Sequence, residues 1–312
     1  MMRRARGTRL VALSTLLMTA LPGCASQPGS TPARPIVSAS LQGVLGLDAV
    51  AIDMITDSGG YPDRKYLVET ADERVTAECM RSAGFTWSGF VYKPPPGSDE
   101  DRALDLDDRR KRGYGVADPG QEPQPQIGGP DDGRSAALFG KARKLAKLDA
   151  PGFGQAEFPV EGCLAQAHAA IFGDVATWAR LMFLPQGANA ILARTTDGDP
   201  RLLAAGKAWS RCMKDHGYRY AKPGEIRSDL QTSYRDDPDP VQVRQDKEIK
   251  LALQDAACDR KVGLARTELD LRRAAARMLP ADQRSDLAHL AISLDEAVGR
   301  AHATVERPAP AQ

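Results

Sequence analysis

Five cysteines punctuate this 312-residue chain, and their placement constrains its fold more than any other feature. Cys24 stands alone at the end of an apolar leader, while Cys79, Cys163, Cys212 and Cys258 are spread through the remainder. Four cysteines in a chain sent to an oxidising compartment are expected to close into two disulfides, each tying distant segments together. Whether this chain is sent there is a question for its first residues.

Arg3, Arg4, Arg6 and Arg9 form a positive opening with no acidic residue among them. Residues 10–21 form an apolar stretch broken only by Ser14, Thr15 and Thr19. This is signal-peptide order, and the apolar run is too short to anchor in a bilayer. Leu21-Pro22-Gly23-Cys24 closes it. A Leu three residues before a Cys, with Gly directly before it, resembles the bacterial lipobox, although Pro22 is unusual in the middle position. Residues 1–23 are therefore expected to be a lipoprotein signal peptide and Cys24 the lipidated N-terminus. The alternative is an ordinary secretory signal cleaved near Ala25, which leaves a secreted protein. The Arg3-Arg4 pair lacks the following apolar residues of a twin-arginine signal, so the general secretory route is expected. Residues 24–40 are rich in Ser, Pro and Gly, too polar to bury a core, and read as a flexible tether. Each methylene of an acyl anchor contributes about 0.8 kcal/mol, so two or three chains hold firmly.

Cleavage removes four arginines and no acids, leaving 38 basic residues against 41 acidic ones, a net charge of −3. That balance gives no electrostatic case for nucleic acid. No later stretch has the length and apolarity of a transmembrane helix; residues 41–55 come closest, and Asp48 and Asp53 break them.

Two of the cysteines sit in matching contexts. Cys79-Met80-Arg81-Ser82-Ala83-Gly84-Phe85-Thr86-Trp87 aligns with Cys212-Met213-Lys214-Asp215-His216-Gly217-Tyr218-Arg219-Tyr220, sharing the pattern C-M-[basic]-x-x-G-[aromatic]-x-[aromatic]. Helix-compatible stretches precede both, over 67–83 and 201–216. Gly84 and Gly217 read as the left-handed residues that end those helices. The alternating aromatics that follow predict short strands. Cys163 and Cys258 lie in further helix-like stretches, 160–172 and 249–264. The chain thus reads as two copies of one plan: a first Cys-repeat region over 41–195, and a second over 196–306. The economical pairing is within each copy, Cys79–Cys163 and Cys212–Cys258, with the two other connectivities left open. Loops of that size contribute about 4–5 kcal/mol each in the chain-entropy model.

The first copy carries a long insert, 93–135, which opens on Lys93-Pro94-Pro95-Pro96-Gly97 and runs through alternating charges at 99–112. It reads as surface loop with a solvated charged face, interrupted by a Gly113-Tyr114-Gly115-Val116 segment able to dock on the body. Near the C-terminus, Ile249, Leu253, Ala257, Leu264, Leu271, Ala275 and Met278 recur at helical spacing. So do Leu287, Leu290, Leu294, Val298, Ala301 and Val305, with Pro280 between the two sets. The expectation is an antiparallel helical hairpin, then a disordered tail over 307–312. The fold class is mainly α with a few short strands.

At these residues the chain resembles a group of actinobacterial secreted proteins and lipoproteins. They carry paired C-M-x-x-x-G-[FY] segments with a Y-G-[VI] segment between them, as at Tyr114-Gly115-Val116. A G-C-x-x-x-A-x-x-x-[aromatic]-G stretch follows, similar to 162–173, and an x-C-x-x-x-x-G-L helix, similar to 257–264. The resemblance covers roughly residues 67–305. It implies export and disulfides, and it lends no catalytic residue.

Candidate chemistry is thin. A cysteine nucleophile partnered by His168 or His216 needs a free thiolate, which disulfides remove. Zinc could draw on Cys212 with His216 or Cys163 with His168, but neither pair has the tight CxxC spacing of a zinc site, so no metal or cofactor is expected. There is no GxSxG, SxxK, HExxH, Walker or dinucleotide motif. Asp236-Asp237-Pro238-Asp239 lacks the spaced ligands of a calcium loop and reads as a turn. Trp87, Trp178, Trp209, Tyr218 and Tyr220 could line a groove, although packing is the plainer use for them. The expected function is non-enzymatic: an interaction or binding lipoprotein on the outer face of the cytoplasmic membrane, with an envelope protein or cell-wall component as partner. A cell-wall hydrolase with an unrecognised site, or a transporter's substrate-capturing lipoprotein, are the alternatives.

Overall fold

The computed structural model describes residues 47–118 and 133–307. The leader, Cys24, the tether, part of the insert and the last five residues lie outside them. Of the described residues, 68 % are helical. Asp48 caps the first helix, α1 (Ala49–Thr56), by accepting the Ala51 N–H at 2.7 Å. The second, α2 (Tyr61–Ser82), starts on Pro62, whose missing N–H costs nothing in a first turn.

The charged run expected to be loop is helical instead. Ser98 and Asp101 form a reciprocal capping box that starts α3 (Asp99–Leu104). Asp105 caps α4 (Leu106–Arg112), whose acids fall in its first turn and whose four basic residues fall in its last. Charges so ordered along the helix dipole stabilise a short helix, and the alternating pattern concealed that order.

After α5 (Arg134–Phe139) comes an antiparallel hairpin of β1 (Leu145–Ala150) and β2 (Gly154–Pro159), the one sheet among the described residues. Ala150, Ala156 and Phe158 are buried on one face of it, and the hairpin packs on α7 (Val175–Thr196), which follows α6 (Gly162–Phe172). The strands expected after Gly84 and Gly217 do not form. Neither segment pairs with a strand among the described residues; their aromatics are held by side-chain packing instead, Phe85 and Trp87 in one cluster and Tyr218 and Tyr220 in another.

The second copy contributes α8 (Pro200–Asp215), α9 (Gly224–Ser233), α10 (Val241–Val262), α11 (Leu264–Ala276) and α12 (Ala281–Val305). The break at Pro280 falls where the sequence places it. A further break at Gly263, in the left-handed conformation (φ 66°), divides the preceding helical stretch into α10 and α11. These last two helices make their main contacts elsewhere: α11 with α7, α8 and α1, and α12 with α2, α6 and α7.

Both disulfides are present, Cys79–Cys163 joining α2 to α6 and Cys212–Cys258 joining α8 to α10. The two Cys-Met segments end their helices identically. Gly84 (φ 87°) donates its N–H to Arg81 O and Phe85 donates to Met80 O, both at 2.9 Å. Gly217 (φ 91°) donates to Lys214 O and Tyr218 to Met213 O, both at 3.0 Å. This is the Schellman motif, in which the third residue from the end packs on the second beyond it. Met and the aromatic occupy those two positions, which explains the recurring pattern.

The largest core joins Met54 and Ile55 of α1, Val68 of α2, Ile171 and Phe172 of α6, Leu181 and Leu192 of α7, and Leu287, Leu290 and Leu294 of α12. A second gathers Trp209, Met213, Ile226, Leu230 and Leu251 around Cys212 and Cys258, with Tyr114 and Val116 packed against it. A small third holds Met80, Leu138 and Cys163. No described helix is long and apolar enough to cross a membrane.

Candidate functional site

The α1–α2 turn, α2, α3, the proline run before α3, and α11 enclose a cleft of about 530 Å³. That volume lies within the range of small-molecule sites, about 300–1,000 Å³. One wall is fixed by a web of charge. Asp99 accepts the Gly59 N–H at 2.7 Å on one oxygen and Arg273 at 2.7 Å on the other, while Arg273 also donates to Ser58 Oγ at 2.9 Å. Arg102 donates to Gly59 O at 2.7 Å, to Asp63 at 2.9 Å and to Pro95 O at 3.3 Å, which draws the proline run onto the body. These two arginines are committed to the wall.

The remaining lining is less committed. Lys65 stands 3.9 Å from Glu69, and Arg266 has no ion-pair or hydrogen-bond partner among the described residues. Arg272 pairs with Glu268, yet its Nε is shielded from solvent without an acceptor. Asp57 and Asp270 add negative charge, and Tyr66 and Tyr92 add aromatic surface. Burial raises the Glu69 carboxyl above its ordinary range; Lys65 opposes this, and Asp72 and Asp57 reinforce it. Both signs of charge thus face one cavity, an arrangement suited to a polar ligand carrying both.

Two further polar clusters lie away from this cleft. Glu248 of α10, fully buried, accepts the N–H groups of Tyr114, Val116 at 2.9 Å and Ala117 at 2.7 Å. A Cβ on Gly113 would lie 2.7 Å from Glu248 Cγ, so only glycine lets the segment approach this closely. Two turns on, Asp255 accepts from Arg109 at 2.6 Å, the Tyr114 hydroxyl at 2.7 Å and Trp209 Nε1–H at 2.9 Å. Burial, and then Asp255, push the Tyr114 hydroxyl well above its ordinary range. Every partner here is satisfied, which marks a structural fastening. In the other cluster, His168 Nδ1 lies 3.0 Å from Asp72, and its ring stacks on Trp178 with centroids 3.8 Å apart.

The residues singled out by sequence divide accordingly. Cys163 and His168 are not brought to a common site, since the imidazole is spent on Asp72 and Trp178. Cys212, His216 and Cys258 are brought together, their ligating atoms all within 4.8 Å of one another. Trp209 is core, and Trp178 and Trp87 are packing residues. Tyr218 and Tyr220 border a shallow, more open groove of about 630 Å³, where burial, and then Asp229, push the Tyr220 hydroxyl up to about 12. The aspartates at 236–239 form the turn before α10, with Asp239 paired to Lys247 at 2.6 Å. Cys24 lies outside the described residues. None of the cleft residues stands out in the sequence, because lone charges on separate helices form no motif. No family model, no curated protein and no solved structure matches this chain.

Proposed function

We propose that this chain is an extracytoplasmic binding lipoprotein, tethered through Cys24, whose cleft between α2, α3 and α11 takes a small polar ligand of mixed charge such as a cell-wall peptide. The observation that supports this reading is the cleft itself: about 530 Å³, lined by acids and bases of both signs, two of whose cations, Lys65 and Arg266, are held weakly or not at all by the described residues. Charged groups left facing a partly dry cavity attract a complementary ligand more strongly than they would on an open surface.

Calorimetric titration of the exported chain with muropeptides and simple dipeptides tests it. Binding is expected, and a Lys65→Glu, Arg266→Glu double variant should bind at least tenfold more weakly with an unchanged melting temperature. Equal affinity in that variant would remove the cleft from consideration. The anchor has its own test: Cys24→Ala should move the protein from the membrane fraction to the soluble one.

A second reading, a cell-wall hydrolase, draws on Glu69. A carboxyl whose proton is retained to higher pH by burial, facing a cavity, has the makings of a general acid. On that reading the chain clears a peptidoglycan zymogram and Glu69→Gln does not.

A further inference from the structure

We propose that Cys212, His216 and Cys258 form a latent metal site, which opens when their disulfide is reduced and takes zinc or a similar borderline-soft divalent ion. The site is separate from the cleft and does not depend on it.

The donors are already assembled. Cys212 and His216 lie four residues apart, in the last turn of α8 and at its cap, so they share one face of that helix end. Cys258 reaches them from α10, its Cα 5.7 Å from that of Cys212. Two thiolates on a tetrahedral ion stand about 3.8 Å apart, given zinc–sulfur bonds of about 2.3 Å, and side-chain rotation accommodates this without moving the helices. His216 Nδ1 lies 2.8 Å from the Cys212 carbonyl oxygen. A carbonyl only accepts, so Nδ1 carries the proton and Nε2 keeps its lone pair for a metal. Backbone carbonyls commonly orient ligating histidines in this way. The Gln254 amide donates to Cys258 Sγ at 3.4 Å, a contact that favours a thiolate there. Both sulfurs are buried while His216 is exposed, so an ion has a path in and water can fill a fourth position.

The other disulfide supplies the control. Cys79 and Cys163 close the same kind of helix end, but Ala83 stands where the second copy has His216, and no third donor joins them among the described residues. Among the described residues, a cluster of three potential metal ligands occurs at one of the two struts.

Opening requires a dithiol or phosphine reductant. With a dithiol, two electrons and two protons pass to the Cys212–Cys258 bond, giving two thiols, and the reductant leaves as its own disulfide. A divalent ion then displaces the two thiol protons, and its charge balances both thiolates. The covalent strut between α8 and α10 is replaced by a coordinate one.

The test uses the whole chain, reduced with a phosphine and titrated with cobalt(II), then with zinc. One equivalent of cobalt is expected to give thiolate charge-transfer absorption in the near ultraviolet and the visible bands of a tetrahedral ion, both abolished by zinc. His216→Ala should weaken cobalt binding at least tenfold while keeping the helical circular dichroism. Cys79→Ser with Cys163→Ser should leave the spectrum intact, and the oxidised chain should give none. The proposal fails if the reduced chain shows no such bands, if it unfolds with cobalt present, or if His216→Ala binds cobalt as tightly as the native chain.

Discussion

The two copies of the Cys-Met plan end their leading helices with the same Schellman bonds, and then diverge in what surrounds the disulfide. Around Cys79–Cys163 the apolar support is thin: Met80 and Leu138 are fully buried, and Cys79 itself is only half-buried. Cys212–Cys258 is wrapped by Trp209, Met213, Ile226, Leu230 and Leu251, and buried carboxylates at Glu248 and Asp255 fasten a segment of the first copy against that core. The difference teaches that the two copies share a helix ending while their packing and polar chemistry are distributed unequally. One copy leans on its covalent bond, and the other on a dense core with an imidazole at the rim.

That contrast can be broken or sharpened by mutation. The largest effect is expected from Cys79→Ser with Cys163→Ser, because this bond closes the longer separation, 84 residues. The chain-entropy model gives about 4.5 kcal/mol, against about 4 kcal/mol for the 46-residue separation of Cys212–Cys258. Urea denaturation of the two double variants should rank them in that order, and the reverse ranking would break the comparison. Next comes Glu248→Ala, which strips three N–H groups, one buried and two part-buried, of their acceptor and should cost about 3 kcal/mol by thermal melting. Gly84→Ala and Gly217→Ala should each cost about 1 kcal/mol, since a Cβ meets nothing within 4 Å at either position and only the left-handed backbone resists it. Unequal costs would show that the two caps are not equivalent.

The smallest effect contrasts two acids. Glu248 has three N–H donors, whereas Glu69 has, among the described residues, only Lys65 at 3.9 Å and is raised by burial. A raised carboxyl favours the protonated folded state. Glu69→Gln should therefore be neutral at pH values below the ordinary carboxylate range, where folded and unfolded chains both hold the proton. As pH climbs through the raised folded value, the native chain loses stability and the glutamine variant does not. Melting curves across that range check the sign.

Much of the helical architecture could be read from the sequence. Gly84 and Gly217 announced two helix ends, Pro280 a third boundary, and the matched contexts suggested the pairing that both disulfides adopt. The hairpin was hidden because Leu145-Ala146-Lys147-Leu148-Asp149-Ala150 has no β-branched residue, and its pairing partner is chosen by packing on α7 rather than by propensity. The helices at 99–112 were hidden because a charge run looks the same whether or not its ends match a dipole. Glu248 is the sharpest case. A glutamate inside a lysine-rich helix looks solvent-facing, and only the glycine-bounded segment 130 residues upstream hinted at something to hold. The cleft draws on three separate stretches of chain, and proximity of that kind is a tertiary fact.

The crossing of helices between copies has a consequence for how the molecule is made. The final helix, α12, supplies Leu287, Leu290 and Leu294 to a core that begins at Met54. A chain emerging N-terminus first therefore carries an unfinished hydrophobic interior until almost its last residue is out. Such a polypeptide cannot complete that core until α12 has joined it, so its interior closes late.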